Sequence, residues 1–188
     1  MVRIAVLISG GGTNLQALID AVNEGRLNAR ISAVIADRPA EGLKRAVSAG
    51  IPATLIDRKI YGKDLSEKIT GALRGKVDFI ILAGFLSILD GGFIRKFKGR
   101  IINIHPSLLP AYGGKGMHGL NVHRAVLASG EKFSGCTVHF VEERIDSGKI
   151  IAQRRVPVMA GDTPESLAGR ILKEEHKLIV SAAAEVIK

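Results

Sequence analysis

The sequence runs to 188 residues, 46% hydrophobic and 24% charged, which suits one globular domain with its own core and excludes a disordered tail. A formal charge of +9 favours anionic ligands, but the basic residues are scattered and only two Tyr, six Phe and no Trp could stack on bases, so nucleic acid is not an expected partner. A single cysteine, Cys136, excludes an intrachain disulfide and a cysteine-rich zinc site and fits a reducing, cytoplasmic setting; the apolar opening is too short to span a membrane and runs straight into glycines without a cleavage signal.

Val2–Ile8 is a continuous apolar run with β-branched residues and reads as a strand. Leu15, Leu18, Ile19 and Val22 then recur at helical spacing. Residues 31–36 make a second strand ending at Asp37, and Leu43, Ala46 and Val47 mark a helix that follows Pro39 and closes at Gly50. A short strand is expected at 53–56, a helix at 63–73 with Leu65, Ile69, Ala72 and Leu73 on one face, and a fourth strand at 77–83. Phe93, Ile94 and Phe97 suggest a short helix before the strand that begins at Ile101. Four glycines in the eight residues 112–119 read as a mobile surface loop.

Beyond that loop, residues 121–129 look helical, 133–141 read as a strand, 142–148 as a turn, and 150–158 as a returning strand with Pro157 at its edge or end. Asp162-Thr163-Pro164-Glu165 resembles a capping box and opens a final helix reaching Ile187. Strands alternating with helices predict a single α/β domain. Its sheet should be Rossmann-like and mostly parallel, with helices on both faces and a C-terminal antiparallel hairpin, and ligands should bind at the carboxyl ends of the strands.

Chemistry concentrates in three places. In Ile101-Ile102-Asn103-Ile104-His105-Pro106-Ser107-Leu108-Leu109-Pro110, alternation puts Asn103 and His105 side by side on one strand face. Pro106 lacks an N–H, so His105 should stand at the strand's end. Gly10-Gly11-Gly12-Thr13-Asn14 leads from the first strand into the first helix, where backbone N–H groups form a phosphate cradle. The Lys-Ser/Thr of the nucleotide P-loop is missing, and Leu15 stands where the dinucleotide fingerprint needs its third glycine. A sugar phosphate therefore fits better than a triphosphate or a nicotinamide cofactor, with Asp37 available to a ribose hydroxyl.

The third place is the acidic turn Val141-Glu142-Glu143-Arg144-Ile145-Asp146-Ser147-Gly148. Asp146 is either the Asp of an Asp-Ser-Gly turn or an orienter for His105, whose pKa a nearby carboxylate would raise. No histidine spacing suits a metal, and none is expected. Cys136, inside an apolar strand, is expected to pack rather than react.

With Ile80-Ile81-Leu82-Ala83-Gly84-Phe85, Gly135-Cys136-Thr137-Val138-His139-Phe140-Val141 and Asp146-Ser147-Gly148, these stretches resemble the phosphoribosylglycinamide formyltransferases of purine biosynthesis over nearly the whole chain. The resemblance implies transfer of the formyl group of 10-formyltetrahydrofolate, as co-substrate, to the amine of glycinamide ribonucleotide through a tetrahedral intermediate. By it, Asn103, His105 and Asp146 are catalytic: Asn103 and a protonated His105 donate to the developing oxyanion, and Asp146 keeps the histidine charged. Gly12, Thr13 and Asn14 hold the substrate phosphate, and Glu175 meets the glycinamide or ribose.

The folate would lie against Phe85, Leu86, Ser87, Ile88 and Leu89 and against Glu142, Glu143, Arg144, Ile145 and Asp146, within reach of Asn103 and Lys63. The family usually has arginine where Ser87 and Lys63 stand. Residues 1–100 would be the phosphate-binding half and 101–188 the folate-binding and catalytic half, in a monomer or homodimer. Two rival formyl-folate enzymes, one acting on initiator tRNA and one hydrolysing the folate, are expected to carry a further domain for which this length leaves no room. A non-catalytic phosphate-binding module would not need all three polar residues.

Overall fold

The computed structural model describes residues 1–187. Strands β1 (Val2–Ile8), β2 (Ala29–Ala36), β3 (Ala53–Leu55), β4 (Phe79–Leu82), β5 (Ile101–His105), β6 (Phe133–Phe140) and β7 (Ile150–Pro157) form one sheet in the order β3-β2-β1-β4-β5-β6-β7. The pairings are parallel from β3 through β5, and β6 and β7 then run antiparallel. The expected α/β domain with its C-terminal hairpin is thus present, and Pro157 closes the edge strand, where a missing N–H leaves no gap in a ladder.

The helices are α1 (Thr13–Asn23), α2 (Glu41–Ser48), α3 (Arg58–Tyr61), α4 (Leu65–Leu73), α5 (Gly91–Lys96), α6 (Leu120–Ala128) and α7 (Pro164–Val186). Residues of α1, α2, α6 and α7 pack into the core on one face of the sheet, and those of α4 and α5 into the core on the other. Central β1 feeds both: Ile4, Val6 and Ile8 enter the first core, Ala5 and Leu7 the second. Burial on both faces is why its sequence shows no apolar–polar alternation.

The helix expected at 63–73 is present as α4, which starts two residues later at Leu65. Gly62, at φ 50°, leaves the helical region after α3, and a 3-10 turn over Gly62–Asp64 intervenes before α4. Lys63 sits exposed in that turn. At α7, the Thr163 hydroxyl accepts the Ser166 N–H at 3.1 Å and Ser166 Oγ accepts the Thr163 N–H at 2.9 Å, so the capping box closes through a serine with Pro164 at its first turn.

The connection from β1 to α1 is held by backbone packing. Gly12 has φ 71°, and a Cβ placed there would lie 2.6 Å from the Cα of Gly42 in α2. Gly11, one residue earlier, has open space around it. Gly12→Ala should therefore lower unfolding stability by about 2 kcal/mol, through overlap with backbone and a left-handed φ, whereas Gly11→Ala should stay within about 0.5 kcal/mol of the parent. Urea denaturation of the two variants tests this, and equal midpoints would mean that the α2 contact yields freely.

Candidate active site

The antiparallel pairing of β5 and β6 sets Asn103 opposite His139 and His105 opposite Thr137. These four polar side chains share one face, while Ile102, Ile104, Cys136 and Val138 fill the core on the other. The turn that follows β5 is fixed by the buried Thr137. Its hydroxyl donates to the Ser107 carbonyl at 2.6 Å and accepts from the Leu109 N–H at 3.0 Å and from Gln153 Nε2 at 2.9 Å, which exhausts its bonding capacity.

Asp146 reaches this face from the connection between β6 and β7, with a left-handed φ of 52°. Its Oδ2 lies 3.6 Å from His105 Nδ1 and accepts the Gly114 N–H at 2.8 Å, and its Oδ1 lies 3.6 Å from His139 Nε2. At 3.6 Å these are not hydrogen bonds, and each becomes an ion pair only when its imidazole is protonated. The geometry also fixes which ring nitrogens carry protons. A carbonyl can only accept, so His105 Nε2 donates to Tyr112 O at 2.8 Å and leaves Nδ1 toward Asp146. By the same rule His139 Nδ1 donates to Phe140 O at 2.8 Å. In the neutral ring its Nε2 accepts from the Asn103 amide at 3.2 Å, which orients that amide and leaves Asn103 a second N–H to offer.

Electrostatics correct one expectation. Burial pushes the His105 imidazole below the ordinary histidine value, and the opposing pull of Asp146 and the Tyr112 carbonyl does not restore it. His105 is therefore neutral near pH 7 rather than held protonated. For Asp146, burial works upward, but the His139 contact and the Gly114 N–H outweigh it and keep the carboxyl below its usual range. The buried His123 is likewise lowered, by burial first and by the proximity of His105 second.

At the glycine loop, helix α1 has no side-chain cap, so its first N–H groups stay available to an anion. Arg45 Nε braces the loop by donating to Gly11 O at 2.7 Å. Asn14 and Glu175, expected to meet the substrate separately, are bonded to each other: the buried Asn14 amide donates to Glu175 Oε2 at 2.8 Å. Burial raises the Glu175 carboxyl above the usual range and the Asn14 bond only partly offsets this, so α7 and the glycine loop form one unit.

Of the residues expected against the folate, Phe85 and Leu89 face the core, whereas Leu86, Ile88 and Ile145 are exposed at 41%, 66% and 39%. Glu142 and Arg144 are exposed, and Glu143 pairs with Arg95 at 2.9 Å. The Ser87 hydroxyl donates to Asp37, whose fully buried carboxylate also takes two bonds from Arg38, at 2.9 and 2.7 Å. Asp37 is thus closed to a ribose hydroxyl. Lys63 is exposed in the 3-10 turn ahead of α4. Cys136 packs in the core, its thiol pushed up to about 12 chiefly by burial, and is no nucleophile.

Sequence reasoning missed His139, Thr137 and Tyr112 as parts of the site. The first two carried a usable signal, since they are polar residues at alternate positions of a strand whose other residues are apolar or small. Tyr112 acts through its carbonyl, which no residue type announces. The His105 ring should titrate below the ordinary value of about 6.5, and Asp146→Asn should lower it further by removing the one carboxylate that favours the charged ring. NMR titration of both proteins measures this. A His105 pKa unmoved by the substitution would remove Asp146 as its electrostatic partner.

A family model described as Formyl transferase matches residues 2–183. Among curated relatives, the chloroplastic phosphoribosylglycinamide formyltransferase of Vigna unguiculata is 45% identical over 182 residues, covering 95% of this chain and 58% of that protein. The trifunctional purine biosynthetic protein adenosine-3 of Homo sapiens is 45% identical over 184 residues, of which this chain spans 18%. The chain thus covers only part of the length of these relatives. Among solved structures, glycinamide ribonucleotide transformylase 1 of Symbiobacterium toebii superposes with a TM-score of 0.92 at 45% identity, covering 98% of this chain and 86% of that one. The enzyme of the same name from Geobacillus kaustophilus gives 0.92 at 37% identity with both chains covered in full. With the match continuous from β1 through α7, the chain belongs to the formyl transferase family.

Proposed function

We propose that this chain transfers the formyl group of 10-formyltetrahydrofolate to the amine of glycinamide ribonucleotide, the step of purine biosynthesis for which its relatives are named. The observation that carries the reading is the convergence of Asn103, His105, Asp146 and His139 on one sheet face. An uncapped, glycine-rich helix start lies on the same carboxyl edge. The first half of the chain supplies the cradle for the substrate phosphate and the second half the catalytic set, with Glu175 crossing back to the cradle. Exposed Leu86, Ile88 and Ile145 offer an apolar face on which a flat pteridine can rest.

The formyl folate supplies the electrophilic carbon. As the amine attacks it, the carbonyl oxygen turns negative and the nitrogen becomes acidic. Asn103, held by His139, presents its remaining N–H to that oxygen. His105 begins neutral, with the Nδ1 lone pair open, so it can take the proton from the amine. Once charged, the imidazolium is stabilised by Asp146 and can pass a proton to the departing folate nitrogen. A covalent enzyme intermediate is unnecessary, and burial makes the one thiol unsuited to forming one.

The test follows formyl-folate loss spectroscopically with and without glycinamide ribonucleotide. Consumption should require the ribonucleotide and match formylated product one for one; equal loss without it would point to hydrolysis instead. Asn103→Ala should lower kcat roughly a hundredfold by removing the oxyanion donor, with little change in the midpoint of thermal unfolding.

A further inference from the structure

We propose that the glycine-rich segment after Pro110 sets the tautomer of His105, and that Tyr112 is the positioning residue that holds it in place. The kinetic part of this inference rests on the proposed formyl transfer; the structural part does not. One short segment reaches both members of the catalytic pair through its backbone. The Tyr112 carbonyl accepts from His105 Nε2 at 2.8 Å, and the Gly114 N–H donates to Asp146 Oδ2 at 2.8 Å. Gly113, between them, has no space for a side chain: a Cβ would lie 2.6 Å from Leu109 Cδ2 and 3.2 Å from the Cβ of Asp146.

Such a segment needs an anchor, because Tyr112 itself holds φ 56°, a left-handed conformation unfavourable for a large L side chain. The anchor is the phenol. Its hydroxyl contacts Ser129 Oγ and lies 3.2 Å from Glu131 Oε1, both just beyond the end of α6. The phenol's one proton goes to the Glu131 carboxylate, and Ser129 Oγ is itself tied to the Val126 carbonyl, to which it donates at 2.9 Å. Its ring packs against the core on the α6 and α7 face. Thus α6, through one tyrosine, fixes where a carbonyl meets His105, and that carbonyl decides that Nε2 carries the proton and Nδ1 does not.

A merely packed tyrosine would matter for stability but not for the protonation pattern of a distant ring. The experiment is therefore 15N NMR of the 188-residue chain labelled at histidine, at a pH about two units above the ordinary histidine value so that the ring is neutral. Wild type should show His105 protonated at Nε2. Tyr112→Phe keeps the ring and loses the anchor, so both tautomers should be populated, and kcat should fall roughly tenfold while KM for glycinamide ribonucleotide stays within about twofold. Ser129→Ala, which leaves the tyrosine intact, should move the tautomer ratio the same way by less, and it carries the test if the tyrosine variant does not fold. Either a wild-type ring protonated at Nδ1, or wild-type ring shifts in a folded Tyr112→Phe, overturns the inference. If wild type transfers no formyl group, the ring shifts still decide the tautomer question, so failure of the proposed reaction and failure of this inference remain distinct.

Discussion

The antiparallel register between β5 and β6 is the constraint on which the site depends. Side chains alternate across a sheet with a period of two, so a slip of one residue would send His139 and Thr137 into the core and bring Val138 and Cys136 to the ligand face. The pairing that sets Asn103 opposite His139 also sets Thr137 under the turn after His105, and Thr137 then saturates its hydroxyl with that turn. The same strand leads into the connection that delivers Asp146. The four-strand ladder from β3 to β4 could be rearranged at its far edge with little effect on these contacts. The change of direction between β5 and β6 could not.

Within that frame, the chemistry is a matter of low dielectric acting on groups with fixed partners. Burial alone would drive both His105 and Asp146 toward their neutral forms. Asp146 escapes because the Gly114 N–H donates to it and the His139 ring lies beside it, and together they favour the anion. His105 does not escape, because the carboxylate at 3.6 Å gives less than burial removes. The result is a charged acceptor beside a neutral imidazole, an arrangement that becomes most favourable only when a proton arrives from elsewhere. A site of this kind stores little in its resting state and stabilises charge at the moment it develops.

Much of this was legible in the sequence. The apolar runs gave the central strands, the glycine loop marked the start of α1, and alternation around Asn103 and His105 placed both on one face. The helix expected at 63–73 is α4, read from its apolar spacing, whereas the one-turn α3 ahead of it went unread because Gly62, at φ 50°, ends it after four residues. His105 was expected to be charged because a sequence displays the neighbouring carboxylate but not the degree of burial that opposes it. The pairing of Asn14 with Glu175 spans 161 positions and joins two polar residues that each looked ready for substrate. Asp37 likewise looked like a ligand contact until Arg38 and Ser87 were found to enclose it.

The edge strands carry a different consequence, for how copies of the chain behave toward each other. A sheet's free edges are templates for pairing with another molecule. Here one edge is β3, three residues long, and the other is β7, which carries exposed Arg154 and Arg155 and ends in proline. Arg155 also lies 4.1 Å over the ring of Phe133, covering the one large aromatic exposed beside that edge. A second chain extending the sheet at β7 would have to set guanidinium against guanidinium with its own copy of that strand. Part of the +9 charge that first suggested anionic ligands therefore stands as protection against aggregation, at the border of the sheet farthest from the phosphate loop.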